Sequence, residues 1–559
     1  MLRSLPLFVL LACGGKADDT STPTPPPAPT HPTTPTEPPL GTADTGSAPL
    51  TPPDTAPTAL TGDTGTPATF ERFEPVIDQI LIDLASNDAP GVSIAIMEDG
   101  VVTWAAGFGS ARPDSEVPVD EETLFQLGST TKMYTSLALL QQVERGSLTV
   151  DTPLSTPLVG WDMANNPGSF DQITMHHLMT HQGAFYDFID WTSMPRDSYL
   201  EEWMAAYAEE LWLMAEPGQF MNYSNPNFMF GGLVLEQIDD QERSYGELVE
   251  QDVFAPLGMP RTFFKKADAE ADGHYALGRG LDVNTGLTID FTLDDVADNA
   301  SGRPAGECTW STPAQQLRMA AFLMQGDPAV LDDTLREQMV DRHVAMLEAN
   351  DTSYGYGLFV SDGVYLGNGY HPVEVWSHGG NSYGYTSDFY VVPSTGFAIS
   401  IMSSGWAQDF SGTVAVAMEQ LADLPPAGPA PEWAFDPDRL DDHVGTYADV
   451  ANGSFTVSRS GDGLQIDWPF LAQYGYTVAP DLLPIGDSLW VADLGAAAIT
   501  LAFVGEPGQP SAYAANRVLV GNRVDEPVVA RHAQPLAPRL VDPVPALFRP
   551  AAERAMLRR

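Results

Sequence analysis

A chain of 559 residues with 43% hydrophobic content carries enough apolar sequence for more than one core. Its 75 acidic residues against 26 basic ones leave a formal charge of −49, which argues against recognition of nucleic acid or an anionic membrane through a basic surface. Two cysteines, Cys13 and Cys308, exclude a disulfide framework.

The first segment pairs Arg3 with the apolar run Leu5–Leu11 and the small residues Ala12-Cys13-Gly14-Gly15. That is the pattern of a secretory signal, and it is shorter than the roughly 20 apolar residues a membrane-spanning helix needs. Residues 13–69 are dominated by Pro, Thr, Asp, Gly and Ala, a composition that cannot bury enough surface to fold and reads as a tether. Globular sequence begins at residue 70, where Phe73, Ile77, Ile80, Leu81 and Leu84 recur at helical spacing. Val92–Met97 and Val101–Ala106 then read as strands joined through Glu98-Asp99-Gly100. A helix is expected from Ser129 to about Arg145, with Met133, Leu137, Leu140 and Val143 inward and Gly146 ending it. Residues 160–345 read as mostly helix and loop; Ser387–Val392 and Phe397–Ser403 return to strand.

Pro425-Pro426-Ala427-Gly428-Pro429 marks a boundary after a domain at 70–424. Beyond it, alternating runs such as Phe455/Val457, Leu464/Ile466/Trp468 and Ile499/Leu501/Phe503 predict a small antiparallel β domain at 430–524. Residues 525–559 form a Pro-containing tail with Arg531, Arg539, Arg549, Arg554, Arg558 and Arg559.

The chemistry concentrates at Ser129-Thr130-Thr131-Lys132. The chain holds four lysines, Lys16, Lys132, Lys265 and Lys266, and one lies three residues after a serine. On a helix that spacing brings the two side chains to one face, about 5–6 Å apart at Cβ. A neighbouring ammonium is one way to activate a serine, a weak nucleophile at its free pKa. Two more motifs follow in chain order, Tyr223-Ser224-Asn225 and His378-Gly379-Gly380.

Together these three motifs resemble the signature of the serine β-lactamase/penicillin-binding superfamily, specifically its class C β-lactamase-like branch with D-specific peptidases and esterases. The resemblance extends to Thr123–Gly128 before the serine, Glu144–Asp151 after its helix, Ile173–His181, and Pro304-Ala305-Gly306 ahead of Ser311-Thr312. It implies an α+β fold, an antiparallel sheet flanked by helices plus a helical subdomain, and an acyl-enzyme mechanism on a small-molecule or peptide substrate without a cofactor. In it Ser129 is the nucleophile, Lys132 eases its deprotonation, Tyr223 is the general base with Lys132 as the alternative, and Asn225 holds a substrate amide. The N–H groups of Ser129 and Asn381 form the oxyanion hole, and Gly379 and Gly380 let substrate approach the strand. Leu10-Leu11-Ala12-Cys13 likewise resembles a lipobox, implying export, lipid on Cys13 and anchoring in the cell envelope at the outer membrane, with the catalytic domain periplasmic or extracellular; an ordinary signal peptide is the alternative.

Two departures bear on substrate. Many relatives open the third motif with a lysine that anchors a substrate carboxylate, whereas His378 is largely neutral at pH 7. Gln182-Gly183-Ala184-Phe185 replaces the usual Thr-Ser-Gly plus apolar residue. Esters and D-amino-acid amides or peptides are therefore ranked above β-lactams and DD-carboxypeptidase substrates, with a penicillin-binding or sensor protein without turnover as the other reading. His176, His177 and His181 with Asp187 and Asp190 lack a His-Glu-x-x-His pattern and read as hydrogen-bonding residues, with no metal expected. Cys308 reads as a buried small hydrophobe and Lys265-Lys266 as an exposed loop.

Overall fold

The computed structural model describes residues 71–527 apart from 88, 114–115, 188–199, 282–286, 297, 348–350, 433–434, 474, 496–497 and 517–518, together with Leu547. The signal segment, Cys13, the tether, Asp190 and most of the arginine tail lie outside the described residues.

Helix α1 (Glu74–Ser86) precedes strands β1 (Gly91–Glu98) and β2 (Val101–Gly109), which pair antiparallel across Asp99-Gly100. Both turn residues have positive φ, 51° and 75°, the backbone a two-residue hairpin demands. Strands β3 (Val344–Ala345), β4 (Thr352–Tyr354), β5 (Phe359–Ser361), β6 (Val375–Ser382), β7 (Tyr385–Val392) and β8 (Phe397–Ser403) complete an eight-stranded sheet in the order β2–β1–β8–β7–β6–β5–β4–β3. All of its pairings are antiparallel.

The sheet is covered on both faces, so its central strands are apolar on both sides rather than alternating. In β1, Ile94 and Ile96 join one core with Val76 and Ile80 of α1 and Val414 and Met418 of helix α6 (Ser411–Leu421). Ala95 and Met97 face the other core, built from helices α2 (Lys132–Glu144), α4 (Asn225–Ile238) and α5 (Pro313–Gln325). Burial of this kind stabilises by roughly 25 cal/mol per Å² of apolar surface. Asp83 ties α1 to α6: its carboxylate accepts from the N–H (2.7 Å) and hydroxyl (2.6 Å) of Thr413 in the first turn of α6. In α1 the stripe runs through Phe73, Val76 and Ile80, and Leu81, expected inward, is rotated off it and 46% exposed.

Helix α2 departs from the expected one-sided pattern, since residues 132–142 are all buried. Gly146, at φ +75°, ends it as expected, donating to Val143 O. Strand β6 carries His378-Gly379-Gly380, the motif expected at a strand entry; the glycines sit inside the strand, paired with β7. Lys266 is not in a loop but opens a short helix, Lys266–Asp272.

Strands β9 (Gly445–Asp449), β10 (Gly453–Ser460), β11 (Gly463–Asp467), β12 (Leu483–Pro484), β13 (Leu489–Asp493), β14 (Ala498–Val504), β15 (Tyr513–Ala515) and β16 (Val520–Val524) form a second antiparallel sheet. It closes into a barrel where Ile466 donates to Pro480 O (2.7 Å) and Leu482 to Leu464 O (2.9 Å). Side chains fill the interior, among them Tyr447, Phe455, Trp468, Trp490 and Leu501. Of the tail, Leu547 is 2% exposed and joins the core that holds Phe73.

Candidate active site

Gly128 to Thr131 form a 3-10 turn that runs directly into α2 at Lys132. Three residues per turn eclipse positions i and i+3, so Ser129 and Lys132 stack. Lys132 is fully buried, and its Nζ donates to Ser129 Oγ (3.0 Å), to Asn225 Oδ1 (2.8 Å) and to the carbonyl of Ala305. An ammonium has three protons and no acceptor, and these partners match it. The same nitrogen lies 4.9 Å from the centre of the Tyr223 ring and 5.6 Å from that of Phe228.

Tyr223 and Asn225 come together because the chain turns into α4 at Ser224, whose extended backbone is followed by Pro226 in the first turn. Asp187 accepts from the Asn225 N–H at 2.7 Å, placing a carboxylate at the helix N-terminus. His181 lies against Tyr223, ring centres 4.0 Å apart, and its Nδ1 is 3.1 Å from the Ser224 N.

The third motif borders the serine from β6. Gly128, at φ +58°, leaves no room for a Cβ, which would sit 2.5 Å from the Asn381 nitrogen. The backbone of Asn381 is thus held beside the turn that carries Ser129. Gly380 is required by packing, since a Cβ there would lie 1.9 Å from the Leu127 carbonyl. Gly379 differs: the nearest atom to its Cβ position is 3.9 Å away, and it is the glycine that leaves space along the strand. His378 is 2% exposed, with Nδ1 2.6 Å from Gly379 O and Nε2 3.1 Å from the Tyr354 hydroxyl. Nδ1 donates to that carbonyl, so the ring is held between the Gly379 backbone and the Tyr354 hydroxyl.

Sequence reasoning missed Tyr354, Asp187, Glu307 and the carbonyl of Ala305 as parts of this arrangement. Pro304-Ala305-Gly306 signalled the last: a Cβ on Gly306 would stand 2.6 Å from the Gly128 carbonyl. Burial pushes the Glu307 carboxyl up to about 7, and the charge of Lys132 opposes that rise. The other histidines stand apart from this constellation. His177 caps the short helix α3 (Met175–Met179) with Thr174, and His176 bonds the Tyr356 hydroxyl at 3.0 Å. Among the described residues no group of three or more His, Cys, Asp or Glu is placed to hold a metal. Cys308 is fully buried, and burial pushes its thiol well up. Trp376 is also buried, its indole N–H donating to Glu374 at 2.9 Å.

Residues 76–422 match the family described as Beta-lactamase. The protein flp of Staphylococcus aureus strain N315 is 28% identical over 213 residues, covering 37% of this chain and 42% of that protein, so the match spans less than half of that relative. Among solved structures, SurE superposes with a TM-score of 0.60 at 20% identity, covering 81% of this chain and 100% of its own. The D-amino acid amidase from Ochrobactrum anthropi SV3 gives 0.52 at 22% identity, covering 63% and 98%. At these identities the likeness is one of fold, and it is the α+β, β-lactamase-like fold expected from the motifs, followed here by the separate antiparallel β unit.

Proposed function

Because this chain belongs to the Beta-lactamase family, we propose that it is a serine hydrolase acting through an acyl-enzyme on esters or on amides and peptides of D-amino acids. The observation that carries the reading is the lysine ammonium seated between Ser129 Oγ, Asn225 Oδ1 and Ala305 O. It supplies positive charge where a serine alkoxide forms.

In this reading Ser129 Oγ attacks the substrate carbonyl while its proton passes to the Tyr223 oxygen. The positive charge of Lys132, 4.9 Å from the Tyr223 ring centre, favours the phenolate that Tyr223 must become to act as base. The developing oxyanion is received by the N–H groups of Ser129 and Asn381, each such donor contributing about 3–4 kcal/mol to the barrier reduction. Tyr223 returns the proton to the leaving oxygen or nitrogen. It then takes one from a water that attacks the acyl-enzyme and passes it to Ser129 Oγ as the acyl–oxygen bond breaks, which restores both serine and phenolate. Asn225 orients the substrate amide.

A histidine where many relatives carry lysine, held between Gly379 and Tyr354, supplies no permanent charge for a substrate carboxylate, which favours neutral or cationic substrates. The neighbours' printed names are in keeping with this: one is an amidase of D-amino acids, and SurE was also solved with D-Leu. The test is a panel of p-nitrophenyl esters, D-amino-acid amides and a chromogenic cephalosporin, with mass spectrometry of the trapped adduct. Ser129→Ala should lower turnover at least 1,000-fold and abolish the adduct while far-UV circular dichroism is unchanged; undiminished turnover refutes the assignment. We also propose export and lipid anchoring through Cys13, which rests on the Leu10-Leu11-Ala12-Cys13 motif alone.

A further inference from the structure

The C-terminal barrel touches the segment that delivers Tyr223. Asn222 Nδ2 donates to the carbonyl of Asn516 at 3.3 Å, both residues buried. Asn516 is itself fixed within the barrel, donating from Nδ2 to Thr500 O (2.8 Å) and accepting at Oδ1 from Leu519 N (3.0 Å). Two residues before Asn222, the Phe220 ring meets Tyr513 of β15 edge-on, centres 5.2 Å apart. Further back, Asn522 of β16 donates to the Met214 carbonyl at 2.8 Å. Tyr186, Met214 and Phe220 share one buried apolar cluster with Ala451, Ala515 and Val520 of the barrel.

On its other side this segment meets the catalytic body: Asn222 N donates to His181 O at 2.8 Å, and His181 packs on Tyr223. Residues 220–223 therefore run between His181 and the barrel. Beside Tyr513 and Asn522 the interface opens into a cleft of about 480 Å³ bordered by Leu213, Met214 and Glu216. Met221 and Tyr223 also join the core that holds Tyr354 and Phe359, so the barrel contacts hold one side of the segment and that core the other.

We propose that the barrel is a positioning element of the hydrolase: through Asn516–Asn222 and Tyr513–Phe220 it sets the place of Tyr223 relative to Ser129 and Lys132. The inference rests on the reading of Tyr223 as the base. A gap of about 1 Å at a reacting group costs on the order of 100-fold in rate, so contacts remote from substrate can govern turnover.

The test uses the full chain and an activated ester. Tyr513→Ala should lower kcat at least tenfold with KM within twofold, and Tyr513→Phe, which keeps the ring, should restore kcat. Asn522→Ala gives a second, milder perturbation, and it is the deciding variant if Tyr513→Ala fails to fold by circular dichroism. In a Tyr223→Phe background, Tyr513→Ala should cost nothing further, because the group it positions is already gone. An unchanged kcat in Tyr513→Ala or Asn522→Ala, or full additivity with Tyr223→Phe, overturns the proposal while the base assignment stands. Wild-type turnover in Tyr223→Phe alone refutes the base assignment, and the positioning role falls with it.

Discussion

Lys132 and Gly380 show how single residues set this site. A lysine buried without partners loses its proton readily; here three acceptors surround Nζ, and the ammonium is the form that satisfies them. Gly380 fixes the spacing between β6 and the serine turn, because the Leu127 carbonyl occupies the place of a side chain. Gly380→Ala should therefore cost about 1–3 kcal/mol of stability by overpacking. It should also lower kcat at least tenfold, because the displaced atom is backbone one residue before Gly128. Urea melts and ester turnover read the two effects separately. A fall in stability with unchanged kcat shows that the strand can shift without disturbing Ser129.

At the level of elements, α3 joins two loops through histidines that burial keeps neutral. Burial lowers the pKa of His176 to about 4, aided by His343 and His177, while Asp151 opposes the shift; His177 and His343 are lowered too, with Asp151 and Asp341 opposing. His343 stacks on Tyr356, centres 4.0 Å apart. An unfolded histidine takes up its proton near pH 6.5, whereas the folded His176 does so near 4. Between those values the unfolded chain binds more protons, so stability falls as pH drops through that window and is unaffected above it. His176→Asn should flatten the decline in Tm between pH 6.5 and 4 and leave Tm at pH 8 within a few degrees. An equally steep decline in the variant assigns the acid sensitivity to other groups.

For the molecule as a whole, the acidic surface and the N-terminal segment bear on where it works. A charge of −49 gives the protein no electrostatic affinity for anionic lipid, so the proposed anchoring falls to the lipid on Cys13 without help from a basic patch. Among the described residues no helix is long and apolar enough to cross a membrane. The full-length protein should partition into the detergent phase on extraction, and Cys13→Ala should move it to the aqueous phase. Persistent detergent partitioning of Cys13→Ala refutes the anchor.

The motifs Ser129–Lys132, Tyr223–Asn225 and His378–Gly380 and the helix and strands around Ser129 were legible in sequence because each is local: residue spacing and turn chemistry are properties of a few consecutive positions. The separate jobs of the two glycines of β6 were not, because only the Leu127 carbonyl against Gly380 shows that one is required by packing and the other leaves space. Leu81 was misplaced because helical spacing admits two neighbouring stripes and only the partner surface selects one. Tyr354 beside His378, Asp187 on the Asn225 N–H and Asn516 on Asn222 lie 24, 38 and 294 residues from their partners. No periodicity spans such separations. By itself the sequence determined the three motifs to which the chemistry is assigned under the proposed function and the class of fold that holds them. The tertiary structure alone decided that Asn225 and the Ala305 carbonyl meet Lys132, which face of each helix is buried, and that the C-terminal barrel reaches the tyrosine loop, since those follow from packing between segments distant in the chain.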